Sequence, residues 1–475
     1  MSGRRASLVF LPVFFASGFA ALAYQIVWQR LLAFFSGADV FSVTLIVCAF
    51  MAGLGLGSLA GGHLADRLSL RGRFLAFALA EAATAAFALV SVPLLYGFLY
   101  RNLAEKALPF FLVGLLLFVV LLWPTFLMGL SLPLLSRALT EDAAVSARRI
   151  GSLYGWNTLG AALGALVTVF GVVRLGGFEA AVALGAALNL ACAATALLAL
   201  RWLRPAAESP SASAGTPEKE AGGARRESGF PFAWWLLLYA FSGFIALSLE
   251  ILWFRLLGVI VKSNSFTFAW LLTLYLSGVG LGALLTRSAA ARASRPGQAF
   301  LVLQILVAGY AGLSVTVLTH GVEAWPSLAA LRAYLAEYDA IELDAAVRSL
   351  LRFAVRGGDV APFAQDLATQ LLRLYGLVPA LLIGIPTMLM GASFPFLQSA
   401  VHADVGRLGR RVGWLQAANI AGATLGASLT GLVLLQALGT AGTLRVIVAL
   451  GTVFALAATR GAAARARTAF AAAAV

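Results

Sequence analysis

The chain has 475 residues, 61% of them hydrophobic and only 11% charged, where a soluble domain carries about 25% charged residues. An ordinary water-soluble fold is excluded, and the bilayer is the solvent this composition suits. The net charge of +14 needs no nucleic-acid partner, because the basic residues gather in short loops beside anionic headgroups.

Apolar runs of the length a helix needs to cross the hydrocarbon, about 20 residues, fall near 8–33, 40–62, 74–99, 108–135, 150–173 and 178–200. Six more fall near 233–257, 265–286, 298–319, 370–400, 412–437 and 440–459. The expected fold is an all-α integral membrane protein of about 12 transmembrane helices. Arg4 and Arg5, with the basic residues at 67–73, 137–149, 201–226, 287–295, 407–411 and 460–467, make up 22 of the 34 Lys and Arg residues. All lie on the terminal side, so the positive-inside rule makes both termini cytoplasmic. A bacterial inner (cytoplasmic) membrane is the expected location.

The chain repeats itself. Ser17-Gly18-Phe19 through Trp28-Gln29-Arg30 returns as Ser242-Gly243-Phe244 through Trp253-Phe254-Arg255, and Gly53, Gly55 and Gly57 return as Gly278, Gly280 and Gly282, at an offset of 225 residues. Pro124, Thr125, Gly129, Ser131 and Pro133 then match Pro386, Thr387, Gly391, Ser393 and Pro395 at an offset of 262, which implies an insertion of 37 residues in the second half. The expected domains are an N-terminal six-helix half, 1–204, a small, polar linker, 205–230, and a C-terminal half, 231–460. The second half carries an acidic, amphipathic insertion near 321–367, and a cytoplasmic tail occupies 461–475. Duplicated halves in an apolar chain are the pattern of a secondary transporter that alternates access to a central site.

Candidate site residues follow from charge at depth. Gln25, Trp28 and Gln29 share a face of the first helix, and Glu250, Trp253 and Phe254 occupy the matching positions of the seventh. A carboxylate at mid-membrane costs about 2.5–3.5 kcal/mol even on the lenient insertion scale. Glu250 therefore requires a cationic ligand, a coupling proton or a partner from the other half. Flanking indoles suit an organic ammonium. The structural alternative is that Glu250 bonds to Tyr24 or Gln25 and locks the halves together. Asn157 and Asn419 either line the cavity or bond across the bundle, while Gly160 with Gly164 and Gly422 with Gly426 serve close helix packing. Cys48 and Cys192 form no CxxC pair, and His63, His320 and His402 are dispersed, so no metal set is expected. Nor is an enzyme, because no nucleophile, base and orienting group are grouped.

The stretch Gly62-His63-Leu64-Ala65-Asp66-Arg67 resembles the Gly-x-x-x-Asp-Arg loop of the major facilitator superfamily. That resemblance implies an MFS-like 6+6 fold with Asp66 and Arg67 in a relay that holds a cytoplasmic gate. In the second copy Ala291 replaces the acid and only Arg292 remains. The strings around Trp28, Ala49 to Ser58 and Asn157 to Ala162 also resemble the membrane part of bacterial fused MFS and spermidine-synthase-like proteins. This second resemblance implies a substrate such as a polyamine or related cationic amine. It also leaves two other functions open, a lipid or lipid-linked substrate translocase and a non-transporting membrane partner of a separately encoded synthase-like enzyme.

Overall fold

The structure is a computed structural model and describes residues 3–36, 40–104, 110–140, 142–202, 230–262, 267–336, 372–401 and 405–473. Backbone groups in hydrocarbon must pair within the chain, and every long apolar run is accordingly a helix. These are α1 (Gly3–Ser36), α2 (Val40–Arg67), α3 (Leu70–Val92), α4 (Phe110–Leu139), α5 (Ala143–Val167) and α6 (Val173–Trp202). The second set is α7 (Phe232–Ile260), α8 (Thr267–Arg292), α9 (Pro296–Ala324), α10 (Ile385–Val401), α11 (Leu408–Leu429) and α12 (Leu435–Ala473).

Among the described residues nine helical stretches are long and apolar enough to cross a membrane. Two of them, Ser146–Arg201 and Leu408–Arg460, run 56 and 53 residues, about 80 Å of helix at 1.5 Å per residue. Each folds back at one glycine with positive φ, Gly177 at 73° and Gly439 at 66°. Only glycine takes that conformation without strain, and it breaks the helix with no loop. α12 also runs on through the tail expected at 461–475, because Ala and Arg are strong helix formers.

The same pairings recur in both halves. α1 packs on α5 and α6 as α7 does on α11 and α12, and α2 packs on α4 as α8 does on α10. The halves meet through α2 against α11 and α5 against α8. Arg149 and Arg411 repeat one device, each donating from Nη1 to the carbonyl that ends the preceding helix, at Leu139 and Val401. In the insertion, a short helix, Ala329–Ala336, lays Leu331 and Leu335 on the C-terminal core. Lys262 Nζ sits 4.0 Å from the centre of the Tyr334 ring in the same helix. Residues 337–367 of the expected insertion and 205–229 of the expected linker lie outside the described residues.

Candidate functional site: an acidic cavity between the halves

α5 begins at Ala143 rather than near 150, since the polar turn around Arg148 and Arg149 extends the helix past the apolar run. Asn157 is thereby carried deeper into the bundle. Gly160 and Gly164 bring α5 against α1 so closely that a Cβ on either would collide with the Phe15 or Phe19 carbonyl. Gly422 and Gly426 do the same on α11 against Ala240 and Phe244 of α7. Asn157 Nδ2 donates to the Phe14 carbonyl at 2.8 Å, and Asn419 Nδ2 to the Tyr239 carbonyl at 3.0 Å. Both asparagines thus tie the first helix of a half to its fifth, and both also line a cavity of about 340 Å³ between the halves.

Ser17, Gln25, Glu81, Tyr154, Asn157 and Asn189 face this cavity from the N-terminal half, with Phe50, Met51 and Met128 as apolar wall. Glu250, Tyr275, Gln416 and Asn419 face it from the C-terminal half, beside Phe268 and Ile420. Among the described residues no Lys or Arg lines the cavity, and its two carboxylates have no basic partner there. Glu250 is half-buried and, among the described residues, takes part in no hydrogen bond or ion pair. Neither Tyr24 nor Gln25 bonds to it. Glu81, 3% exposed, accepts from Ser17 Oγ at 2.8 Å and Ser131 Oγ at 3.2 Å through Oε1, while its Oε2 has no partner.

Of the residues expected at the site, Gln25, Glu250, Asn157 and Asn419 come together on the cavity wall. The expectation that Tyr24, Trp28, Gln29 and Trp253 do so as well is corrected. Tyr24 and Trp28 are fully buried inside the N-terminal half, stacked at 5.4 Å, and Trp28 Nε1 donates to Ser91 Oγ at 2.9 Å. Trp253 is fully buried in the C-terminal core, 6.4 Å from the Tyr275 ring. Gln29 is half-buried away from the cavity lining. The physical reason is rotation. Positions 25 and 250 point at the centre, and a residue three further on is turned by about 60°, into its own half.

Glu81 and Asn189 lie outside the repeated strings, and Leu306 and Gly451 stand at the matching positions of the other copy. The signal was present: Glu81 is an isolated acid within the third apolar run, the same argument that singled out Glu250.

Where α2 ends, Asp66 reaches the other half. Its Oδ1 accepts from Gly409 N and its Oδ2 from Arg410 N, both at 2.9 Å, at the start of α11. Arg410 Nε lies 3.5 Å from Oδ2 and Arg137 Nε 3.7 Å from Oδ1. A carboxylate on the free N–H groups of a helix start is favoured by both hydrogen bonding and the helix dipole. The expected relay partners are corrected here. Arg67 is exposed and takes no part, and Arg292 only bonds back to Ser288 O at 3.3 Å. With Ala291 in the second copy, the corresponding corner has no such carboxylate.

Among the described residues, no three His, Cys, Asp or Glu side chains lie together. His63 and His320 each bond to the carbonyl four residues earlier, and His402 lies outside the described residues.

No family model and no curated protein matches the chain. Solved structures do. A bacterial homologue of the iron transporter ferroportin, in an outward-facing state with soaked iron, aligns with a TM-score of 0.59 at 13% identity, covering 96% of this chain and 99% of that one. The major facilitator superfamily transporter FucP, in its outward conformation, aligns with a TM-score of 0.54 at 13% identity and the same coverage. The E. coli fucose:proton symporter FucP in a second structure gives 0.51 at 13% identity, with coverages of 95% and 99%. At these identities the likeness is one of fold alone, and this chain shares the overall fold of these solved transporters.

Proposed function

We propose that the protein is a secondary transporter of a small organic cation, working by alternating access in a bacterial inner membrane. It crosses the membrane twelve times as two six-helix halves, with both termini cytoplasmic. One observation carries the reading: among the described residues, Glu250 faces the inter-half cavity with no hydrogen bond, no ion pair and no basic residue in the lining around it. An unneutralised carboxylate in low dielectric costs several kcal/mol, roughly, until it is paired. A solute ammonium entering the cavity supplies that pair, and the Phe268 and Tyr275 rings beside it favour a cation. Gln416, Asn157 and Asn419 add hydrogen-bonding groups that orient a polar solute. Polyamines and related amines belong to this class.

Asp66 serves as the latch of the cytoplasmic gate, holding α2 to α11 while the cavity is reached from the other side. Its release lets the halves rock.

The test is uptake into proteoliposomes of a labelled panel of cationic solutes, putrescine and spermidine among them, beside neutral and anionic controls. Saturable cation uptake that Glu250→Gln reduces at least tenfold, with folded protein in both vesicles, is expected. Flux of neutral or anionic solutes indifferent to that change would overturn the reading. Folded protein that moves none of the panel would shift the weight to lipid translocation or to anchoring a synthase-like partner.

A further inference from the structure

A second carboxylate, Glu81, lines the cavity from the N-terminal half, opposite the half that carries Glu250. Ser17 of α1, Glu81 of α3, Ser131 of α4 and Asn189 of α6 line the same cavity. Glu81 and Asn189 are each only 3% exposed. Both serine hydroxyls donate to Glu81 Oε1, which leaves the hydroxyl lone pairs free to face a ligand. Glu81 Oε2 and Asn189 Oδ1 are buried with no partner among the described residues. Tyr24 Oη is a third such oxygen. Its ring lies against Gly185, one turn from Asn189 on α6, where a Cβ would come within 2.6 Å of the ring. Buried polar atoms are almost always paired, so Glu81 Oε2 and Asn189 Oδ1, on two residues that line one cavity, call for a ligand that both can bind.

The other half shows what removes the need. Ser242 and Ser393 stand at the offsets that match Ser17 and Ser131, and Gly451 stands where α6 has Asn189. There Gln304, two residues before the position that matches Glu81, donates from Nε2 to Ser393 Oγ at 2.9 Å. An amide carries its own N–H donors and no charge. A carboxylate with an additional amide oxygen in place of glycine has an excess of acceptors and one negative charge.

We propose that Ser17, Glu81, Ser131 and Asn189 form a binding site for one sodium ion. The donors are all hard oxygens, which suit an alkali or alkaline-earth cation rather than a soft metal. The single charge of Glu81 balances one positive charge, whereas a divalent ion would leave an unpaired charge in low dielectric. Placed between α1, α3, α4 and α6, the ion joins four helices of the half that Glu250 must meet across the cavity, so it couples sodium to the state of the solute site.

The site is testable without any transport. Purified protein in detergent is assayed for binding of radioactive sodium ion at fixed pH, with choline chloride holding ionic strength constant, and for melting temperature in sodium, potassium or choline chloride. The expected result is saturable binding of about one sodium per chain and a sodium-specific rise in melting temperature. Both are lost, with affinity at least tenfold weaker, in Glu81→Gln and in Asn189→Ala, and both persist in Glu250→Gln. Should Glu81→Gln not fold, Asn189→Ala and Ser131→Ala carry the test. Absence of saturable sodium binding overturns the proposal, as does binding that survives these variants. Stabilisation that follows pH but does not distinguish sodium from choline also overturns it and assigns Glu81 a proton instead. Because sodium binding is read directly, its failure leaves the organic-cation reading of Glu250 standing, and the reverse also holds.

Discussion

Trp28 and Trp253 separate two roles that a sequence motif merges. Both lie one turn past a cavity residue, and both are fully buried in their own halves. Truncating such a side chain costs about 3–5 kcal/mol in a core. Trp28→Ala and Trp253→Ala are therefore expected to lower the melting temperature in detergent clearly, while Trp28→Phe leaves solute affinity within about twofold, since the indole does not touch the solute. A solute affinity that falls tenfold in a well-folded Trp28→Phe variant would return the indole to the cavity. Glu250 was legible in the sequence because charge at depth is costly wherever it occurs. Which of its neighbours share the cavity was not, because that depends on how far each helix is rotated about its axis. A rotation of 60° divides Gln25 from Trp28.

The glycine pairs of α5 and α11 set the distance between helices, and this is a property of the element that sequence spacing did reveal. Four residues apart, they form one smooth face. The carbonyls of α1 and α7 lie against it with no room for a methyl group. Gly422→Leu is expected to push α11 off α7 and abolish folded protein, read as loss of a monodisperse peak on size exclusion. Gly171→Ala is the control, because a Cβ there meets nothing within 4 Å, and its stability is expected to stay within about 0.5 kcal/mol of the parent. What spacing did not reveal was how each element ends. Gly177 and Gly439 fall within the breaks expected at 173–178 and 437–440, but the sequence did not show that each break is made by a single glycine at positive φ, with helix on both sides and no loop.

At the scale of the whole molecule, a carboxylate fastens the corner where α2 meets α11. Asp66 binds both amides at the start of α11, and hydrogen bonds to a charged group contribute about 1.5–3 kcal/mol each. Asp66→Ala is expected to free the α2 to α11 contact by on the order of 2 kcal/mol, about thirtyfold in its opening equilibrium. Hydrogen exchange at residues 408–415 reads that opening, and unchanged protection there would dismiss the latch. Asp66 itself was legible from its motif. Its partners were not, because Gly409 and Arg410 lie more than 340 residues away and offer backbone N–H groups that any sequence would supply. The pair of carboxylates in the cavity has an electrical consequence. On the proposed transport cycle, two bound monovalent cations would neutralise the pair, and the rocking of the loaded carrier would move no net cavity charge through the membrane potential. Emptied, it carries two negative charges, each worth about 2.3 kcal/mol per 100 mV across the full field. Voltage would then act on the return of the unloaded carrier, so that an inside-negative membrane sets the turnover rate through the leg of the cycle in which nothing is carried.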